Sequence, residues 1–279
     1  MARVNAFART STYYRRFRPG IPATLAALLN EAAPTDRPRR LLDIGTGPGL
    51  VVHALLPYFD DLFAVDAEPG MLTEAEAMLR PALNTAHRLQ LRHALAEDFL
   101  PPEGWQPHLV TCGRVFHWLN QPRFLDRLGE YMAPEGAVAV FSDRSLWTAD
   151  SPWQQAAREV VQDFVGEQPR AGGGVFSAPG PSYEEMLRAS AFSHVTSTIV
   201  AVRRQWKIPQ VLGYLYSTSF AAPHLFGDRR DAFELAVTNA LTPFADRGVL
   251  TEDNAFTVLT ARRPSALGGG DLYGRSRQG

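Results

Sequence analysis

The stretch RLLDIGTGPG, residues 40–49, decides the fold. Its apolar start is expected to form a buried strand, and its glycines the turn that ends it. LVVHALLPYF, residues 50–59, continues as a helix. Glycine lets a backbone turn sharply and approach a ligand closely. At the end of a first parallel strand such a loop is a nucleotide-binding position. The spacing is informative. A dinucleotide fold uses G-x-G-x-x-G. Here Gly45, Gly47 and Gly49 bring the third glycine one residue early, Thr46 lies inside the turn, and Asp43 precedes the first glycine by two. That arrangement suits an adenosine group without a pyrophosphate.

Working outward, LFAVDAE (62–68) forms a second strand, ending at Asp66, twenty-one residues after Gly45. A carboxylate there can accept hydrogen bonds from both hydroxyls of a ribose. GMLTEAEAMLR (70–80) is helical, with Met71, Leu72, Ala75, Met78 and Leu79 at helical spacing. RLQLRHALAEDF (88–99) is a third strand with its exit loop. Ala96 and Glu97 are placed to border an adenine ring, with Asp98 as the alternative to Glu97. HLVTCGRVFHWL (108–119) supplies a fourth strand, PRFLDRLGEYM (122–132) a helix and GAVAVFSD (136–143) a fifth strand. Strands alternating with helices predict βαβ units and a doubly wound, mostly parallel α/β sheet, whose ligand crosses the carboxyl ends of the strands.

Beyond Asp143 the texture changes. Ser151-Pro152-Trp153-Gln154 and Ser182-Tyr183-Glu184-Glu185 both have the spacing of a capping box. RAGGGVFSAPGP (170–181) is expected to be a flexible loop. HVTSTIVAVRRQWKI (194–208) is a long strand, Pro209 opens a helix to Leu215, a helix follows around Arg230 to Phe244, and AFTVLTARR (255–263) is a last strand. The final residues, 264–279, have the composition of a disordered tail. No internal repeat is found.

The 279 residues are 45% hydrophobic and 20% charged, enough to bury a core without a metal or disulfide. The net charge is −1, from 28 basic and 29 acidic residues, which argues against a general nucleic-acid binder or a membrane-surface protein. No segment has the length of a membrane span, and the start lacks the apolar stretch of a secretory signal. Cys112 is the single cysteine, so an intracellular, reducing compartment (the cytoplasm) is expected. It has no paired base and is expected to be a small buried residue. The histidines show no metal-ligand spacing, and no metal site is predicted. Lys207 is the single lysine. With abundant alanine, proline and glycine, this reflects a GC-rich, bacterial codon bias, and leaves a Schiff-base enzyme only Lys207 to use.

With these motifs in place, the chain resembles the class I S-adenosylmethionine-dependent methyltransferases, and within them the small-molecule group that includes trans-aconitate methyltransferase. DIGTGPG corresponds to the family's first motif, Asp66 to its ribose-binding acid, Ala96-Glu97 to its adenine-side motif, and Val115 to Leu119 (VFHWL) to its His-Trp motif. Phe7, Tyr14, Arg18, Pro19 and Pro22 keep the family's N-terminal spacing, and VLGYLYSTSF (211–220) resembles its helix with a Ser-x-Ser ending. His108, where the family often has Asp, and APEGA, in place of a Pro-Gly-Gly turn, depart from the pattern.

The resemblance implies a Rossmann-like, seven-stranded fold over residues 1–263. Residues 1–22 would cover it, 39–143 would bind cofactor, and 144–248 would include substrate-cover insertions. It implies S-adenosylmethionine as cofactor, with S-adenosylhomocysteine as product. Contacts are expected from Asp43, Gly45, Thr46, Gly47, Gly49, Asp66, Ala67, Met71, Ala96, Glu97 and Arg114. His117 is either a base or acceptor-orienting residue, or a hydrogen-bonded histidine that orients its loop. Tyr14 and Arg18 either cover the cofactor and substrate or pin the N-terminal segment. The expected acceptor is a small organic molecule methylated at O or N in secondary metabolism. The Asn-Pro-Pro-aromatic motif of base-amino DNA methyltransferases is absent after the fourth strand. Arg18, Arg114 and Arg144 are the cations nominated for an acidic acceptor. The alternative is a non-methylating protein that binds the same cofactor on the same fold.

Overall fold

A computed structural model describes residues 10–145, 148–166, 170–171, 174–175 and 181–264. The helices in chain order are α1 (Ser11–Phe17), α2 (Ala23–Ala32), α3 (Leu50–Leu55), α4 (Pro69–Leu79), α5 (Gln121–Tyr131), α6 (Pro152–Val165), α7 (Tyr183–Arg188), α8 (Ile208–Tyr216) and α9 (Arg230–Leu241). The strands are β1 (Arg40–Ile44), β2 (Asp61–Asp66), β3 (Arg88–His93), β4 (Leu109–Gly113), β5 (Ala137–Asp143), β6 (Arg170–Ala171), β7 (Gly174–Val175), β8 (His194–Trp206) and β9 (Leu250–Arg262).

Seven strands form one sheet in the order β3-β2-β1-β4-β5-β9-β8. β1 to β5 are mutually parallel, while β9 runs antiparallel to both β5 and β8. The expected mostly parallel, doubly wound sheet is present, with this one reversal. Side chains alternate across each strand with a period of two. Leu42, Ile44, Phe63, Val65, Val110, Val138 and Val140 face one side and pack with Phe124, Leu125 and Leu128 of α5. Leu41, Leu62, Ala64, Leu109, Ala137 and Ala139 face the other, against Leu25 and Leu29 of α2, Val52 and Leu55 of α3, and Ala75 and Leu79 of α4. A strand covered on both faces needs a near-continuous apolar run, which is why β1 and β5 are legible in the sequence.

A third cluster stands apart from the sheet faces. Trp153, Ala157 and Val161 of α6, Val211 and Leu215 of α8, and Phe233 and Val237 of α9 pack with Trp206 and Leu250. The last two end β8 and begin β9, so the β8–β9 hairpin carries this helical cap beyond the edge of the sheet.

Several expectations need correction. α1 and α2 are helices that the sequence pattern did not reveal. β9 begins at Leu250, five residues before the expected start at Ala255. Residues 170–171 and 174–175, expected in a flexible loop, pair as the two-stranded β6–β7. Ser182 and Glu185 form their capping box, but Ser151 does not: its hydroxyl donates to Gln154 Oε1 (2.6 Å) instead of accepting a backbone N–H. Phe7, Trp147, Phe176 and the tail from residue 265 lie outside the described residues.

Candidate active site

The sheet order reverses at β1, between β2 and β4, and a ligand crevice is expected outside the carboxyl ends of the strands there. The glycine turn sits at that point. Gly45 has φ +62°, and a Cβ on it would lie 2.2 Å from Val115 Cγ2. Gly49 caps α3 at φ +85°, where a Cβ would meet Leu79 Cδ1 at 2.7 Å. Both positions therefore demand glycine.

Asp66 ends β2. Its Oδ2 accepts the Gly47 N–H (2.7 Å) and its Oδ1 the Glu68 N–H (2.8 Å), so the acid and the glycine turn are locked together. Burial raises its pKa, and these hydrogen bonds oppose the rise. Behind the turn lies Asp43, fully buried, whose Oδ1 accepts from the Thr111 hydroxyl directly across the β1–β4 pair (2.6 Å). Burial pushes Asp43 up to about 6, against the Thr111 hydrogen bond. Asp43 Oδ2, Thr46 Oγ1 and Glu68 Oε1 are buried without a hydrogen-bond partner.

These elements enclose a cavity of about 910 Å³, counting the part open to solvent. Tyr14, Gly45, Gly47, Asp66, Ala67, Glu68, Met71, Ala96, Glu97, Arg114, Val115, Trp118 and Leu119 line it. A smaller recess continues behind it, lined by Tyr14, Asp43, Thr46, Gly113, Arg114 and Phe141. Most of the expected cofactor residues thus converge on one place. Gly49 lines neither space and serves as the cap of α3. Of Glu97 and Asp98, Glu97 lines the cavity and accepts the Asn120 N–H, while Asp98 pairs with Arg123 (2.6 Å) at the surface.

Arg114 lies in the left-handed region at φ 59°. Its guanidinium holds both oxygens of Asp143 (2.6 and 2.9 Å) and the Pro19 carbonyl (3.0 Å). Arg204 also reaches Asp143 (2.8 Å) and continues to Glu252, which Trp206, Gln154 and Asn254 hydrogen-bond in turn. Burial alone would raise Asp143; Arg114 and Arg204 overcome it and hold the carboxylate at about 2. Sequence reasoning missed this chain, because its members come from five separate elements.

His117 falls outside the large cavity. It lines an adjoining cleft with Phe116, Ser142, Tyr183 and Thr257, and Arg114 and Val115 wall both spaces. Arg18 lies between the rings of Tyr14 and Tyr214 (4.9 and 4.7 Å) and donates to Ser217 Oγ (2.9 Å), which ties α1 to α8. Cys112 is buried in the core, and burial raises its thiol pKa, leaving it an inert side chain. His108 accepts the Arg40 N–H (3.3 Å). No metal-binding cluster of His, Cys, Asp and Glu occurs among the described residues. No helix there is long and apolar enough to cross a membrane.

Residues 42–138 match the family model of the methyltransferase domain, and they span the glycine turn, Asp66 and the β4 loop. Over this segment the chain is similar to S-adenosylmethionine-dependent methyltransferases. Trans-aconitate 2-methyltransferase of Methylobacterium nodulans is 29% identical over 150 residues, 52% of each chain. The protein spans about half the length of the curated relatives it matches. Among solved structures, an Anaeromyxobacter dehalogenans protein designated a type II methyltransferase has TM-score 0.57 at 22% identity, covering 88% of this chain and 98% of its own. A Haemonchus contortus phosphoethanolamine N-methyltransferase, solved with S-adenosylhomocysteine, has TM-score 0.53 at 15% identity, covering 94% and 59%. These structural likenesses establish the fold of the methyltransferase domain.

One lining residue of the domain, Glu68, was not predicted. An acid two residues beyond a strand end carries no signal of this in the sequence, where it reads as an ordinary solvated side chain.

Proposed function

We propose that the protein transfers a methyl group from S-adenosylmethionine to oxygen or nitrogen of a small organic acceptor, a partly apolar secondary metabolite. The observation that carries this is the convergence of Gly45, Gly47, Asp66, Ala96 and Glu97 on one cavity at the switch point of the sheet. Asp66 would hold the ribose. Ala67, Met71, Ala96 and Leu119 would border the adenine. Asp43 and Thr46, which line the recess behind the cavity, would receive the ammonium end. When bound, the cofactor supplies an activated methyl whose leaving group is a neutral thioether. The protein therefore contributes mainly positioning and exclusion of water.

The cleft beside Arg114 and Val115 is the place for the acceptor, with His117 orienting it from that side and Tyr14 covering the cavity mouth. Of the segments 1–22, 144–182 and 206–248 expected as pocket walls, Tyr14 and Ile21 are the described residues that line the cavity and its recess. Trans-aconitate, the substrate named for the Methylobacterium relative, would bring several carboxylates. Arg114 is committed to Asp143, Arg144 reaches Asp150 and the Asp253 carbonyl, and Arg18 is held by Ser217 and two tyrosines. That engagement favours a neutral acceptor over a polyanion.

Calorimetry is expected to show S-adenosylmethionine binding, weakened roughly ten- to a hundred-fold in Asp66→Ala, since a hydrogen bond to a charged group is worth about 1.5–3 kcal/mol. Incubation with a metabolite panel, followed by mass spectrometry, should reveal an acceptor heavier by one methylene. No detectable binding by the intact protein overturns the proposal. Binding without any methylated product supports the non-methylating alternative, and unchanged turnover in His117→Ala removes that residue from the chemistry.

A further inference from the structure

Glu68 is the N-cap residue of α4, yet its carboxyl does not cap the helix; the Glu68 carbonyl receives the Met71 and Leu72 N–H groups instead. The side chain turns into the cavity and is 9% exposed. Its Oε1 is buried with no hydrogen-bond partner. Leaving an acceptor in this state costs free energy, so such an atom implies a ligand that completes it. A second carboxylate nearby makes the placement costlier still. Asp66 stands two positions earlier and lines the same cavity.

Asp66 is already partly used. Each of its oxygens accepts a backbone N–H, from Gly47 and from Glu68. A ligand that presents two adjacent hydroxyls at this point offers two donors, and Glu68 adds a second acceptor beside the lone pairs that Asp66 still has free. We propose that Asp66 and Glu68 form a two-carboxylate clamp on a vicinal diol, each accepting from one hydroxyl of the cofactor ribose. This rests on the proposed use of S-adenosylmethionine, and it adds a specificity-determining residue that demands an intact cis-diol. The positive end of the α4 dipole, at Glu68, helps to hold the second negative charge in place.

The test is binding, read by calorimetry with S-adenosylhomocysteine and its 2′-deoxy and 3′-deoxy counterparts. Wild-type protein is expected to bind each deoxy compound roughly ten- to a hundred-fold more weakly than the parent. In Glu68→Ala, parent affinity should fall by a similar factor, and discrimination against one of the two deoxy compounds should collapse to about threefold or less. Discrimination against the other, held by Asp66, should persist. Glu68→Gln keeps the volume and should show the same loss if the alanine variant folds poorly. Wild-type affinity for the parent in both variants overturns the clamp, as does an equal loss for all three ligands. Failure of the wild-type protein to bind the parent overturns the proposed function itself, and the clamp with it.

Discussion

At the scale of single residues, Asp43 sets function against stability. It is fully buried, one oxygen has no partner, and its native pKa is raised to about 6 from an ordinary 3.8. The folded protein therefore holds that proton more tightly than the unfolded chain. The stability tied to it is fully present below about pH 4 and is lost as pH rises through 6, where the native carboxylate must ionise. The two-unit shift corresponds to about 3 kcal/mol at most. Asp43→Asn should thus stabilise the ligand-free protein at pH 7.5 by about 1–3 kcal/mol while weakening cofactor binding. Urea unfolding of both proteins at pH 5 and 7.5 checks it: the advantage should shrink toward pH 5, and an advantage independent of pH would contradict the assignment. Asp43 was legible in the sequence because the glycine spacing singled it out, as Asp66 was by ending the second strand. Glu68 was not, because a lone acid beside a strand end is commonly solvated, and only its lack of a partner marks it. His117 was legible as a residue but not as a direction: whether a side chain after β4 faces the cavity or the adjoining cleft depends on the φ of Arg114, which no sequence spacing encodes.

At the scale of elements, an ion chain runs from the sheet toward its cap beside the apolar contacts of Trp206 and Leu250. Asp143 at the end of β5 neutralises Arg114 from the β4 loop and Arg204 from β8, whose side chains are only 17% and 11% exposed. Removing one partner of a buried ion pair strands the other, at about 3–5 kcal/mol. Asp143→Asn should therefore lower stability by that amount at pH 7, and the urea midpoint reports it. Glu184→Ala, which breaks only the surface pair with Arg188, should cost less than about 0.5 kcal/mol. The sign with pH follows from the depressed value. A carboxylate held at about 2 contributes stability above its unfolded pKa, and this is lost as pH falls from about 4 toward 2. Equal, small losses in both variants would mean that Arg114 and Arg204 find other partners. The elements differ in legibility for the same physical reason. β1, β2 and β5 bury both faces and show it as apolar runs. α1 has no buried residue; Thr12 and Arg15 tie it to Glu74 of α4 (3.0 and 2.5 Å), and Arg18 ties it to α8. Its apolar contacts come from two aromatics one turn apart, Tyr13 on Tyr216 and Phe17 on Gly213, too few to show a period.

At the scale of the whole molecule, the proposed ligand site is lined by the sheet and α1 and meets the cap only through an ion chain. Tyr14 brings in α1, Gly45, Gly47 and Asp66 the carboxyl ends of β1 and β2, and Arg114 the ion chain that reaches the cap. A ligand held there binds only the assembled form, so it should stabilise sheet and cap together. At a hundredfold excess over Kd the gain is about 2.7 kcal/mol. For a chain of this size that corresponds to a rise in Tm of roughly 5–10 °C. S-adenosylhomocysteine should move the far-UV circular dichroism transition and the tryptophan fluorescence transition upward by the same amount. Trp105 and Trp118 report on the sheet and Trp153 and Trp206 on the cap, so fluorescence samples both units. Asp66→Ala should abolish most of the shift without moving the ligand-free midpoint by more than a few degrees. A fluorescence transition that precedes the circular dichroism transition and ignores the ligand would show that the cap unfolds on its own. The Arg114–Asp143–Arg204 chain would then not couple cap and sheet.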